Sequence, residues 1–477
     1  MSRFTRYEIL LGILFVLTLP LSNPWVRGDG VGYYAFVRSM LIEHHLDFTK
    51  DWQAANTSFR MSRLDAKGNV KSSEFTSTGH LDNHFSIGPA ILWSPFLVAT
   101  HVGVLFYDHL GGGILADGFS KPYRVAMAIG TAVYGFLALV ISFVMARRYV
   151  AERWAFLATL GIWFASSLPV YMYFNPSWSH AHSAFTVALF LWYWIHTRSE
   201  RTLPQWLFLG LIAGLMLDVY YVNGIMLLFP FLESIAGYWN VFIRRDGIGA
   251  GRLLGGDAAF AVGLVAAFLP TLITKRVIYG SSATTGYEHL WNWTSPWLLR
   301  VCFSSDHGLF SWTPIMIVAV AGLLFLWRYD REVATYSLVV FAATLYVIGS
   351  YLDWDGLSSF GNRFFISLTP IFVLGLAAIC GWLERIWTER TAAIVSGSAV
   401  AMLALWNVGL IFQWGMHLIP ARGPINWHEA AYNQYAVVPA EAVRVAESYL
   451  TRRGQLMDQI ERDDVKQLRN EGQRGTP

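Results

Sequence analysis

What this chain can fold into is set first by a repeated length. Apolar runs of about 20 residues, each enough to cross a bilayer as a helix, return along most of its 477 residues. Eleven read as spans, at about 7–26, 123–146, 154–173, 180–197, 205–221, 223–242, 254–274, 312–327, 334–351, 364–382 and 392–412. Only 14% of the residues are charged, against about 25% in an ordinary soluble protein, while 55% are hydrophobic and 16% aromatic. The expected fold is an all-α, polytopic transmembrane bundle. The net charge of +3 comes from basic residues scattered at helix ends, so no nucleic-acid partner is expected. The first run is too long for a signal peptide, lacks a small-residue cleavage site and reads as a retained span. Cys302 and Cys380 fall at opposite faces of such a bundle, ~30 Å apart and beyond disulfide reach.

A twelfth apolar stretch, Ser86 to Tyr107, raises a question of parity. The loops "MARRYVAER" (145–153), "HTRSER" (196–201), "FIRRDGIGAGR" (242–252), "WRYDRE" (327–332) and "LERIWTER" (383–390) all contain Arg; "NPSWSHAH" (175–182) and "DVYYVNG" (218–224) contain no Lys or Arg. With eleven spans every Arg loop shares the side of the N-terminal "MSRFTR", as the positive-inside rule requires; with twelve they oppose it. Pro89 and Pro95 also weaken the stretch as a continuous helix. It is therefore expected to be re-entrant or interfacial, protected by neighbouring helices. Residues 1–415 then form the membrane domain, with a large outer loop at 27–122. Residues 416–477 form an outer tail, whose Val445, Tyr449, Leu456 and Ile460 recur at roughly helical spacing, and this amphipathic segment is expected to be structural or partner-binding.

In this arrangement the polar chemistry gathers on the outer side. Asp29, between Gly28 and Gly30 at the lip of the first span, is either the N-cap of a helix beginning near Val31 or an ionisable group in a cavity. That helix would place Tyr34, Val37 and Leu41 on an interfacial apolar face, with Arg38 opposite. His80, Asp82 and His84 alternate in "STGHLDNHFSIGP", either as a divalent-metal set or as interfacial polar residues. His180 and His182 stand at an outer helix mouth, to meet a phosphate or sugar or to cap the helix. Arg363, beside a Gly/Ser cluster at a helix start, either binds phosphate or pairs with Asp353 or Asp355. Asp306 and His307 line the cavity or turn a loop. Lys275 and Arg276 read as snorkelling anchors or lipid-phosphate contacts. The span interiors carry almost no charge at mid-depth, where ion-coupled transporters place it.

"GDGVGYYAFVRSMLIEHHLDF", "NHFSIGPAILWSPF", "MARRYVAERWAFLATLGIWFASSLP", "HGLFSWTPI" and "WDGLSSFGNRFFISLTP" together resemble segments of the GT-C class of integral-membrane glycosyltransferases. The likeness is to the bacterial enzymes related to protein O-mannosyltransferases and lipid A aminoarabinose transferase, over most of residues 1–410. Two features depart from that pattern. The family opening has two adjacent acidic residues where Asp29 stands alone, and a basic residue with two prolines where this chain has Ile87, Gly88 and Pro89. The resemblance implies a GT-C-like fold with interfacial helices in the first outer loop. It implies transfer of a sugar from a polyprenyl-phosphate donor to a lipid, glycan or protein acceptor on the periplasmic face of a bacterial inner membrane, with inversion. Asp29 would be the general base; Arg363 and His84 would hold the leaving phosphate, with His180, His182, Asp82 and Tyr33 about the pocket. No cofactor is implied, a divalent metal being the minor alternative. The competing function is a lipid-linked sugar flippase or other transporter, which predicts mid-membrane polar residues. A non-catalytic scaffold is the third reading.

Overall fold

The computed structural model describes residues 5–198, 200–245 and 247–473. Met1–Phe4 of "MSRFTR", Ser199 and Asp246 of two Arg loops, and 474–477 of the tail lie outside the described residues. Among the described residues there are helices and three isolated β-bridges but no named strand. The bundle opens with α1 (Arg6–Thr18). A long loop follows, carrying α2 (Asp29–Arg38), α3 (Thr49–Ala54), α4 (Thr57–Arg63) and α5 (Gly88–His109). The bundle resumes with α6 (Lys121–Ala146), α7 (Glu152–Phe164), α8 (His180–Thr197), α9 (Leu203–Val219), α10 (Leu228–Arg244) and α11 (Gly247–Tyr279). After the short α12 (Leu298–Phe303) and α13 (Leu309–Trp312) come α14 (Ile315–Leu326), α15 (Arg331–Ser350), α16 (Thr369–Ile386) and α17 (Glu389–Gly415). The tail forms α18 (Trp427–Ala436), α19 (Val438–Thr451) and α20 (Arg453–Gln473). Each of the eleven apolar runs is helical over most of its length, as a segment without water to satisfy its backbone must be. Seven helices are long and apolar enough to cross a membrane by length and composition, and α9 and α14 are shorter apolar helices.

Packing inside the bundle relies on small residues that let backbones meet. Gly210 and Gly214 of α9 face the backbone of α11, and Gly322 of α14 lies against the Gly375 carbonyl of α16. A side chain at Gly375 would strike the Ala319 carbonyl, and backbone cannot yield as a flexible side chain can. We expect Gly375→Val to destabilise the bundle by about 1–3 kcal/mol, read as a lowered midpoint in thermal unfolding in detergent. An unchanged midpoint would show that α14 and α16 are not held this closely.

Ion pairs gather four of the Arg loops at one end. Arg147 bonds Glu8 at 2.9 Å, Arg153 pairs with Glu384 and Glu389, and Arg198 pairs with Asp330 and with Glu332 at 3.0 Å. Tyr149 links two of these loops through Asp330 at 3.1 Å. Asp29 and Arg363 lie at the ends of helices pointing the other way.

The Ser86–Tyr107 stretch differs from expectation: α5 is one continuous 22-residue helix. Pro89 sits in its first turn, where no intrahelical N–H is needed, and Pro95 costs a single ladder bond. Its register explains its place. Trp93 bonds Thr131 at 2.8 Å, Tyr134 bonds the Leu92 carbonyl at 3.0 Å, and His101 meets Tyr123 at 2.6 Å. These contacts run α5 antiparallel to the first half of α6 only.

α2 also departs from the interfacial helix expected. Gly30 to Ser39 are all buried, Arg38 included. Arg38 holds Asp51 through two bonds of 2.6 Å and Glu43 at 2.8 Å. The loop folds over α2 and takes its charge inward as a paired group, the form in which a buried cation is tolerated.

Candidate active site

The site begins with backbone geometry at Gly28. Its φ of 54° lies in the left-handed region, and an added Cβ would come within 3.1 Å of Trp178. Gly28 is the residue before α2, with no side-chain cap, and Asp29 is the first helical residue. The capping role is therefore not what Asp29 performs. Its carboxylate reaches across to Arg363, Oδ2 to Nη2 at 3.0 Å. A Cβ at Gly30 would collide with Ser177, so α2 and the 175–179 turn touch backbone to side chain. We expect Gly30→Val to separate these elements and abolish activity while the membrane bundle stays folded; an active variant would show that this contact does not position Asp29.

Arg363 is aimed by a loop that two sequence segments build together. Asn362 bonds the Trp354 carbonyl at 3.0 Å, Ser359 bonds the Gly361 carbonyl at 3.0 Å, and Tyr171 accepts from the Phe360 N–H at 3.2 Å. His307 bonds the Asp355 carbonyl at 2.9 Å and packs edge-on against Trp312. It supports the loop and does not line the cavity. Burial pushes its imidazole down to about 4, so the folded state prefers the neutral ring. The sign follows: this contribution to stability is fully present above the ordinary value of 6.5 and is lost as pH falls towards about 4. The thermal midpoint of the wild type should fall across that window, and that of His307→Asn should fall less; equal slopes would exclude His307 as the titrating group.

The Arg363 guanidinium lies 4.2 Å over the Trp178 ring, and Trp178 Nε1 donates to the Arg27 carbonyl at 3.0 Å. Arg363 is 9% exposed, and its buried Nε and Nη1 have no hydrogen-bond partner. A buried cation with unused donors is an anion site in waiting, and a planar guanidinium fits phosphate best. Pairing with Asp353 or Asp355, the alternative read from sequence, is replaced by pairing with Asp29. Lys275 is also not a snorkelling anchor. It is buried, and its ammonium donates to the carbonyls of Asn83, His84 and Thr285 at 3.3, 2.8 and 3.4 Å.

Asp29 and Arg363 open onto a cavity of about 980 Å³ with largely apolar walls. Phe85, Phe164, Phe174, Ile411 and Phe412 contribute from the body. Val445, Tyr449, Leu456 and Ile460, the periodic apolar positions of the tail, form the facing wall. Tyr449 donates to the Leu21 carbonyl at 2.7 Å, and Arg453 donates to the carbonyls of Ser22 and Pro20 at 2.5 and 2.6 Å.

The other expected site residues divide. Tyr33 is buried beside the pair, accepts from Ser179 at 3.1 Å, and is kept protonated by burial, which raises its pKa. His84 packs tilted against the cavity residue Phe85, ring centres 4.2 Å apart; burial lowers its pKa against the opposing pull of Asp82 and Asp29. His180 is buried against Tyr171 and Tyr220, behind Trp178. His182 faces elsewhere, onto Trp93 and Tyr134, because residues two apart on a helix do not share a face. Asp82 turns outward to Tyr279, and His80 to Thr78, so His80, Asp82 and His84 do not converge. Among the described residues no three acidic, His or Cys side chains form a metal-holding group. Trp178 and the tail wall are the features that sequence reading missed.

The fold is that of the GT-C membrane glycosyltransferases. The apo structure of ArnT from Cupriavidus metallidurans aligns with a TM-score of 0.51 over 95% of this chain and 74% of that one, at 14% identity. The same protein bound to undecaprenyl phosphate aligns at 0.48, over 96% and 77%, at 13% identity. The oligosaccharyltransferase AglB from Archaeoglobus fulgidus, in complex with an inhibitory peptide and a dolichol-phosphate, gives 0.44 over 96% and 56%, at 12% identity. No family model matches this chain, and no curated protein matches its sequence.

Proposed function

We propose that the protein is an integral-membrane glycosyltransferase that moves a sugar from a polyprenyl-phosphate donor to an acceptor at the outer face of a bacterial plasma membrane. The observation that carries this reading is the pair itself. A half-exposed carboxylate stands 3.0 Å from a buried guanidinium with two unused nitrogens, at the head of a largely apolar cavity. An apolar cavity suits an isoprenoid chain, and an arginine at its head suits the phosphate. ArnT, whose apo form supplies the fold likeness, has itself been seen with undecaprenyl phosphate.

In this reading the acceptor oxygen attacks the anomeric carbon as the bond from that carbon to the phosphate oxygen breaks. The acceptor proton passes to Asp29, and the phosphate leaves with the bonding pair. Arg363 stabilises the charge that develops on it. Attack opposite the leaving phosphate inverts the anomeric centre. Tyr33 and His84, both held neutral by burial, back the site from behind the cavity wall. Arg363 balances Asp29 across 3.0 Å; a bound phosphate would draw the guanidinium towards itself and free the carboxylate to take the proton.

The test is to supply purified protein in lipid with a panel of polyprenyl-phosphate sugars, with water and simple acceptors, and to follow free polyprenyl phosphate. Release from one donor is the expected result. A protein that binds the carrier but moves the intact lipid-linked sugar between leaflets would instead be a flippase.

A further inference from the structure

The cavity carries a charged node that the reaction above leaves unused. Arg27 ion-pairs with Oδ2 of Asp464 on α20, and Nε2 of His417 lies 3.3 Å from the other oxygen of the same carboxylate. All three side chains line the cavity and are less than one-fifth exposed. Arg27 belongs to the loop before α2 and His417 to the turn that follows α17. Arg27 stands two residues before Asp29, is stacked at 4.2 Å over Trp25, and has its carbonyl fixed by the indole that underlies Arg363. His417 follows α17 with φ 54°, a left-handed backbone unusual outside glycine. Only the carboxylate arrives on α20.

We propose that Arg27 and His417 form a second lipid-phosphate subsite, for which Asp464 is an internal competitor. This rests on reading the cavity as a lipid-phosphate site. A phosphate carries the charge and the paired oxygens that Asp464 now presents, and arginine takes either anion in the same forked geometry. The walls around the node, from Leu21 and Phe174 to Val445 and Leu450, are apolar, which selects an amphiphile over a free anion. Such a phosphate has two sources: the second phosphate of a diphosphate-linked donor, or the head of a second lipid lying beside the donor.

The experiment uses the full chain in neutral-lipid nanodiscs as wild type, Arg27→Gln, Asp464→Asn and Arg363→Gln. Each is titrated with polyprenyl monophosphate, polyprenyl diphosphate and phosphatidic acid. Both Arg27→Gln and Asp464→Asn break the same ion pair, so a purely structural bridge moves every affinity in the same direction in both. A competitor moves them oppositely. Asp464→Asn should tighten the responding ligand about tenfold, by releasing the occupied fraction of the site, and Arg27→Gln should weaken it about as much. A response to diphosphate assigns the subsite to the donor; a response to phosphatidic acid assigns it to a second lipid. Like-signed shifts, or none, overturn the proposal. Arg363→Gln, alone and combined with Arg27→Gln or with Asp464→Asn, keeps the two readings apart: it should remove monophosphate binding while leaving the opposed Arg27 and Asp464 shifts in place for the responding ligand. Intact monophosphate binding in that variant would sink the Arg363 assignment alone.

Discussion

Asp29→Asn should lower sugar transfer by about 10²–10⁴-fold, the usual worth of a positioned general base. The protein should remain folded, because the carboxylate makes no capping bond to α2 and is 37% exposed. A second readout separates chemistry from binding. The substitution removes the charge that occupies Arg363, so polyprenyl phosphate should bind as tightly as to wild type or more tightly. Release of polyprenyl phosphate from the donor gives the first quantity, and equilibrium binding of the product gives the second. Loss of both rate and binding would mean that Asp29 builds the pocket and is not the base. Full activity would falsify any direct role.

Arg363→Gln carries the other large effect. Removing a donor that stabilises a leaving oxyanion costs about 10²–10³-fold in rate. Here it should also weaken product binding, since the same guanidinium meets the phosphate before and after transfer. Arg363→Lys should recover little: an ammonium keeps the charge but loses the fork and the stacking over Trp178 at 4.2 Å. A lysine variant with near-wild-type rate would show that only charge matters at this position. The two substitutions should not combine additively, because each alters the partner of the other across 3.0 Å.

The bundle was legible in the sequence because its rule is local. A run of about 20 apolar residues must be helical in lipid whatever surrounds it. The Arg loops were legible for a similar reason, and ion pairs with Glu8, Asp330 and Glu384 gather four of them at one end. The failures are all questions of partnership. Asp29 looked equally like a cap and an acid until the chain brought Arg363 to it from more than 300 residues away. His180 and His182 read as a pair because they are close in sequence, yet helical spacing sends one behind Trp178 and the other to Trp93. The tail showed its apolar spacing plainly. Nothing in that spacing says that the apolar face would turn onto the cavity and meet Leu21 and Asn23. Lys275 looked like an anchor because lysines at span ends usually are; three carbonyls from other segments make it a buried pin.

The roof formed by α19 and α20 couples the site to the order of synthesis. Leu21, Asn23 and Arg27 precede α2, and Tyr449, Met457 and Asp464, which close against them, follow α17 in the chain. Until then the apolar chamber stands open along one wall. Closure of the pocket thus waits for α19 and α20, and a chain made only as far as α17 exposes a greasy furrow with Asp29 and Arg363 already facing each other at its head.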